Sequence, residues 1–208
     1  MKKPLLFFYC FVQILTVSAQ MQKTIGDCTV TYSVSVDGAN TSNTIPAGTV
    51  KIFYVRGMQS RVDLSSQTFK QSVIFDSNSG TATILKEVGA NKYISTYSAE
   101  KWKEQNKKYD GIIITPQNET KTILGYQCKK AIAKLKDGTT FSLYYATAII
   151  PQTSENPFEF KNVPGFVLQY ETQEGNNQKI IFTATAINLF PVPYSKFEIP
   201  TAGYRILQ

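Results

Sequence analysis

The 208-residue sequence has no histidine, three cysteines and a single tryptophan. Without imidazole there can be no Ser-His-Asp triad, no Cys-His pair and no metal site that depends on histidine. Three cysteines are too few for a Cys-dense miniprotein, and 12 glycines exclude a collagen-like chain. Long apolar runs are missing as well. The longest, Leu5 to Val17, is 13 residues, short of the ~20 that cross a hydrocarbon core as a helix. What remains is 42% hydrophobic and 18% charged, with 12 Tyr and 13 Phe. That composition suits one domain with a sizeable core.

The apolar run follows the positive Met1-Lys2-Lys3 and precedes Val17-Ser18-Ala19, which offers the small residues a signal peptidase reads. Residues 1–19 are therefore expected to be a signal peptide cut before Gln20, and residues 20–208 a single domain. The expected location is the periplasm or the periplasmic face of the outer membrane, or the medium, with no transmembrane anchor in the mature chain. Loss of Lys2 and Lys3 lowers the formal charge from +7 to +5. The remaining basic residues lie in pairs such as Lys129-Lys130, not in the long aromatic-interleaved stripe of a nucleic-acid groove, so no nucleic-acid partner is expected. Cys10 would leave with the leader. Cys28 and Cys128 then form an even pair in an oxidising compartment, most simply a disulfide, with two buried thiols as the alternative.

Strand patterns dominate. Cys28, Val30, Tyr32, Val34 and Val36 alternate with hydroxyl residues, and further strands are read over 50–55, 61–64, 69–75, 81–88 and 92–97. Ser98 caps one predicted helix over 99–109, with Trp102 and Tyr109 on nearly one face. Strands resume at 112–114, 126–135, 140–146, 165–171, 179–188, 197–200 and 203–207, with loops at 41–48 and 116–120 and hairpin turns at Asp37-Gly38, Asp137-Gly138 and 174–177. This reads as a mainly β chain: a strongly curved antiparallel sheet or half-open barrel of about ten strands with one helix. Many of the strands, at five to seven residues, are shorter than the ~10 residues of a membrane-barrel strand.

The block Gly125-Tyr126-Gln127-Cys128-Lys129-Lys130-Ala131 resembles a strand of a large family of exported Bacteroidetes proteins named after a GLPGLI signature. Asn162-Val163-Pro164-Gly165-Phe166-Val167-Leu168 is similar to that signature. Thr183 to Ile187 and Phe197 to Tyr204 resemble two later segments of the family, and Tyr54 to Gly57 with Arg61-Val62-Asp63 an early hairpin. The resemblance spans most of residues 28–206. It implies a relation to the periplasmic lipoprotein carriers of the LolA and LolB type, half-open barrels whose concave side binds acyl chains. The family itself has no established activity.

Pro164 fixes φ and Gly165 permits positive φ, so the pair is expected to be a turn that delivers Phe166. Tyr144, Tyr145, Phe158 and Phe160 near loop ends, with Trp102 and Phe166, are the candidate ligand-binding residues; aromatics of this density also simply fill a curved sheet. Arg61 and Asp63 share a strand face and either pair or steer an anionic head group. Glu155 and Glu159 flank Pro157 in a loop. No nucleophile elbow, phosphate loop or paired-carboxylate arrangement is evident, and Cys128 beside Lys129 has no His to act as base. The reading is a non-enzymatic envelope protein without cofactor or metal. Its expected partner is a lipid, an acyl chain or another apolar ligand, and the alternative is a structural or protein-interaction component.

Overall fold

The computed structural model describes residues 22–37, 45–46, 48–174 and 178–207. The expected leader over 1–19 with its cut before Gln20, Gly38 of the first turn, most of the 41–48 loop and 175–177 of the last hairpin lie outside the described residues.

Among the described residues there are fourteen strands. They are β1 (Lys23–Ile25), β2 (Asp27–Asp37), β3 (Val50–Arg56), β4 (Gln59–Ser65), β5 (Phe69–Asp76), β6 (Thr81–Val88) and β7 (Asn91–Tyr97). A short helix, α1 (Ala99–Gln105), and a 3₁₀ turn over Lys107–Tyr109 follow. The chain continues with β8 (Ile113–Ile123), β9 (Tyr126–Lys134), β10 (Thr140–Ala146), β11 (Ile149–Pro151), β12 (Phe166–Glu174), β13 (Gln178–Asn188) and β14 (Arg205–Ile206). Twelve of them form one sheet in the order β14-β7-β6-β5-β4-β3-β2-β13-β12-β10-β9-β8, while β1 and β11 pair separately in parallel.

This corrects the expected architecture. The strand count exceeds about ten, and the sheet is open, neither closed nor strongly curled into a half-barrel. Its two ends never meet. The outer edge of β7 is taken by β14, which runs parallel to it. The other edge, β8, is a solvent-facing strand whose middle reads Thr115-Pro116-Gln117-Asn118-Glu119-Thr120. Polar residues and a proline are what an unpaired edge tolerates. The same fact explains why 116–120 reads as a loop in sequence. The strand needs a partner on one side only, and its register with β9 slips between Pro116 and Thr120. The expected strand at 197–200 does not form either: a 3₁₀ turn over Tyr194–Lys196 leads into irregular chain in which Phe197 is buried.

Both faces of the sheet are covered. On one, alternation along β2 and β3 aligns Cys28, Val30 and Tyr32 with Phe53 and Val55. The main core grows from these, together with Leu143, Phe166, Leu168 and Tyr170. On the other, Tyr54, Ile74 and Leu85 pack with Val192 and Phe197 of the C-terminal segment. Arg56 Nη1 donates to the Val192 carbonyl (2.6 Å) and Arg61 Nη1 to the Lys196 carbonyl (2.5 Å). Arg61 also binds Asp63 (2.6 Å) and Ser72 (3.0 Å), so this pair is satisfied internally and fastens the C-terminal segment.

The disulfide expectation is overturned. Cys28 and Cys128 are free and fully buried. In the sheet order, β13, β12 and β10 lie between the strands that carry them. Four strand steps of ~4.8 Å exceed the ~7 Å that a disulfide allows between Cα atoms. Burial, aided by Asp27, pushes the Cys28 thiol up to about 12, and burial pushes Cys128 up to about 11. Both are therefore inert as small core residues. Denatured without reductant, Cys28 and Cys128 should each take up one alkyl group by intact peptide mass, and in the folded protein neither should. A denatured mass without alkylation would contradict this.

Candidate functional site

Alternation along β3 puts Lys51 in phase with Phe53 and Val55, so this lysine points into the main core rather than to water. It is only 6% exposed. Its Nζ donates to Glu155 Oε1 (2.9 Å) and to the Tyr170 hydroxyl. The rings of Tyr170, Phe182 and Tyr32, from three successive neighbouring strands, stand 4.6, 4.7 and 5.4 Å from the ammonium. These contacts replace water around a buried charge: an ion pair, a hydrogen bond and π faces.

The 149–165 segment closes over this charge. Gln152 N–H donates to the Ile25 carbonyl (2.9 Å) and Thr153 Oγ1 to the Gly57 carbonyl (2.9 Å), tying the segment to the sheet. Asn156 Oδ1 then accepts from the N–H groups of Phe158 and Glu159 (both 3.1 Å), a local turn around Pro157. The turn aims Glu159 inward, where it is 7% exposed and accepts from Asn156 Nδ2 (3.0 Å). Burial lifts its carboxyl to about 7; Lys51 and Lys108 pull against this, and the nearby Glu155 adds to it. The Tyr109 hydroxyl is raised by burial first and by the nearby Glu159 carboxylate second.

The third wall is α1. Ser98 caps it as the sequence suggests, accepting from the Lys101 N–H (3.3 Å), but α1 ends at Gln105. Trp102 packs on Tyr97, ring centroids 5.5 Å apart, and is half-buried. Its Nε1 is buried without a partner, as is Glu155 Oε2, on a side chain 5% exposed. A buried polar atom without a partner is costly, and here two such atoms belong to side chains that border one space.

That space is a hollow of about 200 Å³ lined by Lys51, Ser60, Val73, Phe75, Trp102, Asn106, Glu155, Glu159 and Tyr170. A second hollow of about 250 Å³ adjoins it, sharing Glu155 and Pro157, with Tyr32, Phe53, Phe160, Val163, Phe166 and Val167 as apolar walls and Gln152, Ser154, Lys161 and Asn162 as polar ones. Among the described residues no group of three acidic or cysteine side chains is placed to hold a metal.

The sequence-predicted residues divide. Trp102 lines the first hollow, and Phe160 and Phe166 line the second. Tyr145 is buried beside Gly165, and Phe158 is half-buried and lines neither hollow. Tyr144 donates to Glu119 in a separate cluster, with Lys121 and Lys130 over its ring. Lys51 and Tyr170 escape the sequence reading, and Glu155 and Glu159 figure in it only as neighbours of Pro157. The one legible signal is a lysine in the apolar phase of β3.

Gly165 is also not what the sequence suggests. Positive φ falls on Asn162 (70°), not on Gly165. Gly165 is required by close approach: a Cβ there would stand 2.2 Å from the Ala146 carbonyl oxygen and 2.7 Å from the Tyr145 ring. Gly165→Ala should therefore cost about 1–3 kcal/mol by overpacking, read as a lower urea midpoint. An unchanged midpoint would contradict this packing.

A search against models of known families finds no match, and no curated protein matches. Solved structures do show likeness. PNGF-II matches with a TM-score of 0.52 at 15% identity, over 86% of this chain but 30% of its own. This chain thus spans less than a third of that protein. An uncharacterized conserved protein from Thermus thermophilus also gives 0.52, at 5% identity, over 87% of this chain and 89% of the other. At such identities the likeness is one of fold alone. A LolA superfamily protein from Nitrosomonas europaea reaches only 0.36 at 9% identity, over 83% of this chain and 90% of the other. The expected LolA-like half-barrel gains no support from so distant a match. Among the described residues no helix is long and apolar enough to cross a membrane.

Proposed function

We propose that this chain is an exported, non-enzymatic binding protein of the GLPGLI type it resembles, and that its site is the pair of hollows beneath the 149–165 segment. The supporting observation is a pair of adjoining hollows, each with apolar and polar walls, the first bordered by two side chains that keep unpartnered buried atoms, Glu155 Oε2 and Trp102 Nε1. This arrangement suits a small amphiphile, its apolar body against Phe53, Phe160 and Phe166 and its polar end toward Glu155 and Trp102. Each hollow is below the ~300–1,000 Å³ of drug-sized sites, so the ligand is smaller than a diacyl lipid. The Lys51 amine is engaged by Glu155 and Tyr170, which favours a structural charge over a free base or nucleophile. Export rests on residues 1–19.

Trp102 is the only tryptophan, so its emission reports directly on the hollow. Titration with leucinol, isohexanol and isocaproate should give a saturable change with at least one of them. The change should vanish in Val73→Phe, which fills the hollow without touching its charges. Linear, non-saturating responses to all three would overturn the reading.

A further inference from the structure

Resting on that reading, we infer that the hollow bordered by Lys51, Glu155 and Glu159 recognises a primary ammonium group on a ligand that also carries an oxygen acceptor. The charges on its walls do not balance. Lys51 is matched by Glu155 Oε1 at 2.9 Å, which leaves Glu155 Oε2 as a buried acceptor with no donor. Glu159 adds a second carboxylate whose side-chain hydrogen-bond partner, Asn156, is neutral. Lys108 is exposed, with its ammonium 4.8 Å from the centroid of the Tyr109 ring. The hollow thus has one carboxylate more than it has cations within it.

An ammonium head answers each element of this set. It donates up to three hydrogen bonds, matching Glu155 Oε2 and Glu159, and charge-assisted bonds of this kind are about twice as strong as neutral ones. The Trp102 indole N–H is a donor only, so it requires an acceptor that an ammonium lacks. A hydroxyl or carbonyl oxygen near the amine supplies it. A carboxylate or phosphate ligand would meet Glu155 and Glu159 as like charges.

Calorimetry at about pH 8, above the value of about 7 for Glu159, tests this. Leucinol and isohexanol differ by one amine, so leucinol should bind at least about tenfold more tightly. In Glu159→Gln the ratio of the two affinities should fall toward one. Glu155→Gln is avoided because it strands Lys51. Trp102→Phe keeps an aromatic ring but removes the N–H and should weaken leucinol several-fold. Equal affinity for leucinol and isohexanol overturns the amine inference while leaving the site intact. Tighter binding of isocaproate than of leucinol also overturns it. No binding of any of the three overturns both the inference and the site.

Discussion

Lys51→Met should destabilise the protein by about 3–5 kcal/mol, because it leaves the Glu155 carboxylate buried and uncompensated. Met matches the aliphatic stem of lysine and should still pack among Tyr32, Tyr170 and Phe182, so the loss is electrostatic rather than steric. Glu155→Gln in the same chain removes the stranded charge, and the double variant should recover most of the loss. Urea denaturation of the two single variants and the double gives the coupling directly. Additive losses would mean that the 2.9 Å contact between Lys51 and Glu155 carries no net coupling.

Stability should also fall as pH rises from about 4.5 to about 7. Folded Glu159 holds its proton to about 7, whereas in the unfolded chain it releases it near its ordinary 4.5. Between these values the folded state binds more protons, so its contribution is full below about 4.5 and lost as pH passes about 7. At ~1.36 kcal/mol per pH unit the loss is ~3 kcal/mol. Carboxylates that are held low act elsewhere: Glu87, lowered chiefly by the Tyr204 hydroxyl, titrates below this window. Glu159→Gln should therefore flatten the urea-midpoint profile over this range. A wild-type profile that is flat or rising there would contradict a buried Glu159.

Local structure was legible wherever one segment carried its own signal. β6 and β10 fall where their alternation puts them, and Ser98 caps α1. The Asp137-Gly138 turn forms with Asp137 accepting from the Thr139 N–H (2.8 Å) and Gly138 at φ 89°. What escaped was set by partners far along the chain. β1 is three residues long and exists because Lys23 to Ile25 lie beside Ile149 to Pro151. The cysteine count favoured a bond that the strand order forbids. The site joins Lys51 to Glu155 across 104 positions, and read alone each is an ordinary strand lysine or loop glutamate. Gly165 looked like a turn residue, while its real constraint is the Ala146 carbonyl. Only tertiary packing makes these residues a site.

Native mass spectrometry of protein purified from its own envelope tests the central claim most directly. The wild-type chain should carry the additional mass of a small amine-bearing ligand, and Val73→Phe, purified in parallel, should show the bare polypeptide. Bare polypeptide from both, together with no response of Trp102 emission when envelope extract is added back, would contradict a ligand site beneath the 149–165 segment.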